Sequence, residues 1–160
     1  MSYTASLPNL NTKEAITDAL YRAAIGFDRN DISIFDSTFT GEDFVFELKL
    51  GTDEKRTING LPAFKAQVLN HVGPMDTTHM ISNVRVNHNE GEDTASLTAY
   101  ALAQHCPPGR GKEPDGPKYI SGGEYAVDLV KDLGDGMWKI KKWVLDVIWT
   151  QGDRSVMGGA

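Results

Sequence analysis

Apolar residues recur at helical spacing near the start of the chain. Asn11, followed three residues later by Glu14, has the pattern of a capping box and marks a helix start. The spacing of the apolar residues that follow predicts an amphipathic helix packed on a core. The polar segment 28–31, DRND, is the expected break. The residues of this predicted apolar face are Ile16, Ala19, Leu20, Ala23, Ala24 and Phe27.

Two further helices and a strand pair are predicted before residue 75. Asp31 is expected to cap a short helix through 32–39. Segment 43–50 is rich in aromatic and branched residues and predicts a strand, with a short return strand at 55–60. Pro62 fits the first turn of a third helix. The apolar stripe of that helix is Leu61, Phe64, Val68, Leu69 and Val72.

The second half of the chain changes to alternating patterns that predict strands. Gly91 marks the first turn, residues 133–136 mark the last, and 107–117 form a long connection between the middle pair. Helices gathered early and antiparallel strands gathered late predict a single α+β domain over residues 1–160. The four predicted strands are 77–89, 93–106, 118–132 and 136–149.

The last predicted strand has apolar residues on both faces. Trp143, Leu145, Val147 and Trp149 alternate with Ile140, Val144 and Ile148, so both faces need cover. Three short helices are too few to cover such a sheet on both sides. A second subunit is one cover, and we expect a homodimer formed sheet to sheet.

Composition and charge narrow the class of protein. The net charge of −6 disfavours nucleic acid and anionic membranes as partners, since both favour a basic surface. There is no apolar run of about 18 residues, so no membrane span is expected, and the N-terminal segment lacks the pattern of a secretory signal. Cys106 is the single cysteine, which excludes an internal disulfide and fits a reducing compartment. A cytoplasmic protein is therefore expected.

Asp28 and two histidines are the candidate polar groups of a site. Asp28 would face the core at a helix C-terminus, where the helix dipole disfavours a carboxylate. It is either an Asx-type turn residue in water or an inward carboxylate that orients a partner. His105 belongs to the apolar, inward set of its strand. The alternation around His79 is mixed, so a structural histidine and a catalytic base both stay open. The sequence has neither H-x-x-x-H nor C-x-x-C spacing, so a zinc site is not expected.

Over roughly residues 12–150 the chain resembles the SnoaL-like branch of the nuclear transport factor-like superfamily. Segment 23–39, AAIGFDRNDISIFDSTF, is similar to the helix-to-helix segment of scytalone dehydratase and hexachlorocyclohexane dehydrochlorinase, which have an aspartate where Asp28 stands. Segment 75–83, MDTTHMISN, is similar to the one with their catalytic histidine, matching His79. Segment 135–140, DGMWKI, resembles their final hairpin. The closest likeness is to fungal SnoaL-like proteins, some from polyketide and terpenoid pathways.

The resemblance implies a cone-shaped barrel, in which a curved, mainly antiparallel sheet wraps around three N-terminal helices. It also implies a His79–Asp28 dyad with His79 as general base, a second pocket histidine at His105, and no metal or nucleotide cofactor. The expected ligand is a small apolar cyclic metabolite, undergoing dehydration, elimination, isomerisation or cyclisation. The expected pocket-lining residues are Phe27, Phe39, Phe46, Ile81, Leu97, Ala99, Tyr125 and Trp143.

The resemblance is incomplete, and other functions stay open beside the enzyme. Phe27 stands where scytalone dehydratase has a tyrosine, so scytalone itself is not the expected substrate. The same fold also hosts non-catalytic proteins, so a small-molecule-binding or scaffold protein is the alternative. A dimeric structural module with a collapsed pocket is a third possibility.

Overall fold

A six-stranded mixed sheet curves around the helices in the order β2-β1-β6-β5-β4-β3. The computed structural model describes residues 3 to 51 and 55 to 158. The helices are α1 (Thr12–Arg29), α2 (Ile32–Asp36), α3 (Leu61–Phe64) and α4 (Asn70–Val72). The strands are β1 (Val45–Lys49), β2 (Lys55–Asn59), β3 (Asp76–Asn87), β4 (Thr94–Cys106), β5 (Tyr119–Lys131) and β6 (Trp138–Gly152). The α+β cone predicted from the resemblance is confirmed.

Helix α1 begins and runs as its sequence predicts but continues further than expected. The Asn11 side chain accepts a hydrogen bond from the Glu14 amide, and the Glu14 carboxylate accepts one from the Asn11 amide. The predicted apolar face is buried. The helix includes Asp28, ends at Arg29 and is capped by Asn30, which has the left-handed φ of 49°. Asp28 therefore lies in the last helical turn, and its interpretation as a turn residue in water is wrong.

The sheet closes partway into a cone through one parallel contact. β3, β4, β5 and β6 pair antiparallel in sequence order. β1 then pairs parallel to β6 and antiparallel to β2. The concave face holds the core, where Phe35, Phe44 and Phe64 are fully buried under the helices. Among the described residues, no helix is long and apolar enough to cross a membrane.

A bulge in β3 explains the mixed alternation around His79. The pairing of β3 with β4 shifts register between Ser82 and Arg85, and Asn83 adopts the left-handed φ of 54°. The extra residue reverses the side-chain parity beyond it. As a result His79 and Val84 face the same, inner side of the sheet, although Val84 is five positions after His79 and a regular strand would place the two on opposite faces.

The third helical segment, residues 61–72, contains a π-helical turn that the sequence did not indicate. α3 starts with Pro62 in its first turn, as predicted. Residues Lys65–Leu69 then form the π-helical turn before α4. π-Helical turns are frequent at functional sites, and two residues of this turn contribute to the cavity described below.

The convex face of the sheet carries an apolar row that runs across four strands. In register, Met80 pairs with Leu102, Leu102 with Gly122, and Gly122 with Trp149. Gly122 lies beneath the Trp149 indole, which occupies the space that a Cβ would need. Half of Met80 and half of Trp149 is exposed. Met80, Leu102, Gly122 and Trp149 together form the outer apolar row.

Candidate functional site

A cavity of about 320 Å³ opens between the concave face of the sheet, the helical segment 61–72 and a C-terminal 3-10 turn, Arg154–Met157. Its volume is at the lower end of the range for small-molecule sites. Most of its wall is apolar. Six of the residues expected from the sequence line it: Phe27, Phe46, His79, His105, Tyr125 and Trp143.

Asp28 reaches from the end of α1 to β3 and contacts His79 twice. Its Oδ1 lies 2.7 Å from His79 Nδ1, and its Oδ2 accepts the His79 backbone amide at 2.9 Å. The Thr77 hydroxyl donates to Oδ1 at 2.8 Å. Asp28 itself does not line the cavity, whereas His79 does. The carboxylate thus lies behind the imidazole, in a position to orient it.

The electrostatics of this contact determine which nitrogen of the His79 imidazole donates to Asp28. Burial alone would raise the pKa of Asp28, but the hydrogen bonds and charge of His79 and the hydrogen bond from Thr77 outweigh burial and lower the pKa. Asp28 is therefore ionised at neutral pH and can only accept hydrogen bonds. Nδ1 of His79 is then the donor, and Nε2 keeps its lone pair in the neutral ring.

His105 is the second histidine of the cavity and is almost completely buried, at 5% exposure. Its ring meets that of His79 edge to face, with 5.5 Å between the ring centroids. Burial, followed by the nearby charge of His79, lowers the pKa of His105 from 6.5 to about 4. His105 is consequently neutral at physiological pH, so the cavity contains an uncharged imidazole at this position.

Tyr125 and Trp143 provide further polar atoms in the apolar wall. Their rings pack edge to face, with 4.9 Å between the centroids. Burial raises the pKa of the Tyr125 phenol, so that it keeps its hydroxyl proton. Within the described part of the chain, Trp143 Nε1 and His105 Nδ1 are buried without a hydrogen-bond partner. Buried polar atoms of this kind are unusual in a core and frequent in binding sites.

Several residues expected in the pocket lie outside it. The lining of β4 begins at Ala101, so Leu97, further towards the start of that strand, packs in the core. The inner side of β3 beyond His79 faces helix α1, and Ile81 packs there against the core. Sharing the inward face of a strand was thus not enough to place a side chain at the cavity. The residues assigned wrongly to the lining are Phe39, Ile81, Leu97 and Ala99.

Other lining residues were not expected from the sequence. Arg56 from β2, Gln67 from the π-helical turn, and Arg154 and Met157 from the C-terminal turn all contribute to the wall. His71 is exposed but lines the cavity too, and its Nε2 lies 3.0 Å from the Met157 carbonyl oxygen. None of these side chains belongs to an apolar pattern that the sequence shows, so only the folded structure reveals that they line the cavity.

The cavity offers little to a metal ion. Among the described residues, no group of three or more histidine, cysteine, aspartate or glutamate side chains gathers in metal-binding geometry. The less exposed polar groups of the site include the ionised carboxylate of Asp28, the imidazoles of His79 and His105 and the phenol of Tyr125. Such a set can accept, hold and return a proton next to an apolar ligand.

The fold and this site define an α+β cone protein with a mostly apolar cavity on the concave side of its sheet. The chain belongs to the SnoaL-like domain family, whose model matches residues 8 to 144. The Terrestric acid biosynthesis cluster protein E of Penicillium crustosum is 44% identical over 151 residues, covering 94% of this chain and 92% of that protein.

Solved structures share the fold at lower identity. A candidate scytalone dehydratase from Novosphingobium aromaticivorans superposes with a TM-score of 0.70 at 24% identity, covering 89% of this chain and 87% of that chain. A type 2 hexachlorocyclohexane dehydrochlorinase superposes with a TM-score of 0.67 at 17% identity, covering 89% and 88%. The structural neighbours thus include a candidate dehydratase and a dehydrochlorinase, and at these identities the likeness shows a shared fold alone.

Proposed function

We propose that this protein is a cofactor-independent lyase or isomerase in which His79 removes a carbon-bound proton from a small, mostly apolar cyclic metabolite. The observation that carries the proposal is the 2.7 Å contact between His79 Nδ1 and Asp28 Oδ1 beside an apolar cavity. A base held in one tautomer by a buried carboxylate is a recurrent arrangement for proton abstraction. The name of the Penicillium relative supports a role in secondary metabolism.

The proposed mechanism uses side chains of the cavity together with Asp28 behind His79. Nε2 of His79 takes the proton from a carbon next to a carbonyl, and Asp28 stabilises the imidazolium that forms. The neutral Tyr125 hydroxyl donates a hydrogen bond to the developing enolate oxygen. In an elimination, the double bond forms as the leaving group departs, and the imidazolium returns its proton to a leaving hydroxide to make water. In an isomerisation, the proton returns to another carbon.

Proton exchange with solvent tests this proposal before the natural substrate is known. In D₂O, the protein is incubated with one- and two-ring ketones, including 3-hydroxy-1-tetralone, whose dehydration gives 1-naphthol and water. NMR follows exchange at the α-carbon, and absorbance follows naphthol. We expect exchange by the parent and a loss of about 100-fold or more in His79→Gln, since a general base contributes that much. Asp28→Asn should also lose activity.

His88→Gln is the matched control, because His88 lies outside the cavity and its Nε2 contacts the Glu92 carbonyl oxygen. This variant should exchange protons at the parent rate. A parent protein that binds these ketones but exchanges no proton would contradict the enzyme proposal. It would support the alternative of a non-catalytic small-molecule-binding protein of the same fold.

A further inference from the structure

The charge on the cavity wall is opposite in sign to that of the chain. The sequence has 22 acidic residues against 16 lysines and arginines. Among the described residues, however, the wall includes two arginines, Arg56 and Arg154, and no aspartate or glutamate. A cavity with fixed positive charge and no carboxylate attracts anions locally, although the protein as a whole repels them.

The two arginines lie at the solvent end of the cavity. Both side chains belong to exposed residues, whereas His105 and Tyr125, which line the same cavity, are buried. The wall therefore has a cationic mouth and an apolar interior that contains the histidines. A ligand that matches both regions carries its charge at one end and its ring at the other.

Both guanidinium groups have hydrogen-bonding capacity available. Arg56 Nη2 donates to Gln67 Oε1 at 2.7 Å, a contact between two residues of the wall. Neither Arg56 nor Arg154 forms an ion pair with any described residue. Lys55, the neighbour of Arg56, does pair with Glu47 at 2.9 Å. A guanidinium has five N–H donors in a fixed fork that matches the two oxygens of a carboxylate.

Both arginines belong to regular elements of the backbone at the mouth. Arg56 pairs in register with Leu48 on β1, and both residues line the cavity. Arg154 starts the C-terminal turn, whose amide at Ser155 is capped by Asp153 and whose Val156 is buried. The two cations thus come from structured segments far apart in the sequence.

We propose that Arg56 and Arg154 bind the carboxylate of an amphipathic organic acid whose ring system fills the apolar cavity. This inference rests on the proposed function only in one respect, namely that the ring then lies against His79 as the reacting part. Binding of the acid itself does not require catalysis. The substrate class becomes a cyclic carboxylic acid, and the mouth arginines determine which end of it enters first.

Binding of a matched acid and amide tests the proposal. Isothermal titration calorimetry compares 2-naphthoate with 2-naphthamide, which has nearly the same shape without the charge. We expect the parent to bind the acid about tenfold or more tightly than the amide, because charge-assisted hydrogen bonds are lost with the amide. The double variant Arg56→Gln, Arg154→Gln should bind both compounds with affinities within about twofold of each other.

Arg85→Gln is the control, since Arg85 is an exposed arginine that does not line this cavity. It should keep the preference of the parent. In the parent, raising the ionic strength from about 0.05 to about 0.5 M should weaken binding of the acid and leave that of the amide unchanged. The proposal is overturned if the parent does not bind the acid, if it binds the amide equally well, or if the double variant keeps the preference.

His79→Gln separates this inference from the proposed function. The variant lacks the proposed base but keeps both mouth arginines, so it should retain the preference for the acid while losing proton exchange. Loss of exchange without loss of preference supports both proposals. A parent that prefers the acid but exchanges no proton contradicts only the catalytic role, and a parent that exchanges protons without preferring the acid contradicts only the arginine site.

Discussion

Asp28 is ionised in a place where its own helix disfavours a negative charge. A carboxylate in the last helical turn costs about 0.3–1 kcal/mol through the helix dipole. Hydrogen bonds to a charged group contribute about 1.5–3 kcal/mol each, and Asp28 accepts three of them from Thr77 and His79. The contacts with β3 therefore outweigh the dipole. They also join the end of α1 to β3, so that one residue serves both the fold and the candidate site.

His105 should make the stability of the protein depend on pH. Its pKa is 6.5 in the unfolded chain and about 4 when folded. As the pH falls from 6.5 towards 4, only the unfolded state takes up this proton, so the free energy of unfolding decreases. Below about pH 4 both states are protonated and the effect levels off. The full effect is about 3 kcal/mol, at about 1.4 kcal/mol for each pKa unit.

Urea unfolding of the parent and of His105→Gln between these pH values measures this contribution. We expect a shallower pH dependence in the variant, with the difference in stability between the two proteins shrinking as the pH is lowered. His88→Gln serves as the comparison and should follow the parent, because His88 lies outside the cavity. Equal slopes for the parent and His105→Gln would show that burial does not lower this pKa.

At the scale of single residues, the sequence could indicate only part of the site. The inward position of His105 followed from the alternation of β4, because that strand has no irregularity before it. His79 could not be placed by parity, and only the resemblance paired it with Asp28. Arg56 and Arg154 carry no local signal at all, since an exposed arginine in a short strand or a terminal turn has the same pattern wherever it points.

At the scale of elements, the bulge in β3 is the feature that brings His79 to the concave face. Before the bulge, His79 and Ile81 lie on the inner side; after it, Val84 and Val86 do. A regular strand would bury only one of these two sets. Asn83 takes the left-handed conformation that allows the change, and asparagine is one of the few side chains that adopt it readily.

Substitution of Asn83 tests the bulge directly. Asn83→Ala should lower the free energy of unfolding by about 1 kcal/mol, because alanine lacks the local hydrogen bonding that makes the left-handed conformation tolerable. Asn83→Gly is the matched comparison and should be close to neutral, since glycine adopts positive φ without a steric penalty. Chemical denaturation gives both values. An alanine variant as stable as the glycine variant would mean that this conformation costs nothing here.

Most elements were predictable because each has a strong local signal. The capping box of α1, the Asp31 cap of α2 and the four long strands all follow from residues close in sequence. The π-helical turn Lys65–Leu69 and the C-terminal turn were not predictable. Both depend on tertiary packing, with His71 next to Met157, and not on a repeat of apolar positions.

At the scale of the molecule, the α+β class follows from the order of the elements, but the closure of the sheet does not. The parallel pairing of β1 with β6 joins residues about a hundred positions apart, as in Phe46 with Trp143. Long-range pairing of this kind leaves no periodic trace in the sequence. The cavity lies beside this junction, which is why its wall combines residues from both ends of the chain.

We propose that two copies of the chain associate through the outer apolar row. Its four members lie in register, and Met80 and Trp149 are half exposed. Light scattering at micromolar concentration should give about twice 17.5 kDa. Trp149→Glu should shift the protein to the monomer, since a charge in an apolar interface is costly. Leu133→Glu, at a 79% exposed turn residue, should leave the mass unchanged. A parent of 17.5 kDa would contradict the dimer.

The three tryptophans of the chain lie in three separate environments. Trp143 faces the cavity, Trp149 belongs to the outer apolar row, and Trp138 is buried, with its ring edge to face against His88 at 5.4 Å between centroids. The fluorescence of each indole should therefore respond to a different event. A ligand in the cavity should quench Trp143, whereas association would remove water from Trp149 and move its emission to shorter wavelength. Trp138 should respond to neither and report only unfolding, so variants that keep one tryptophan each would give separate signals for binding, assembly and stability.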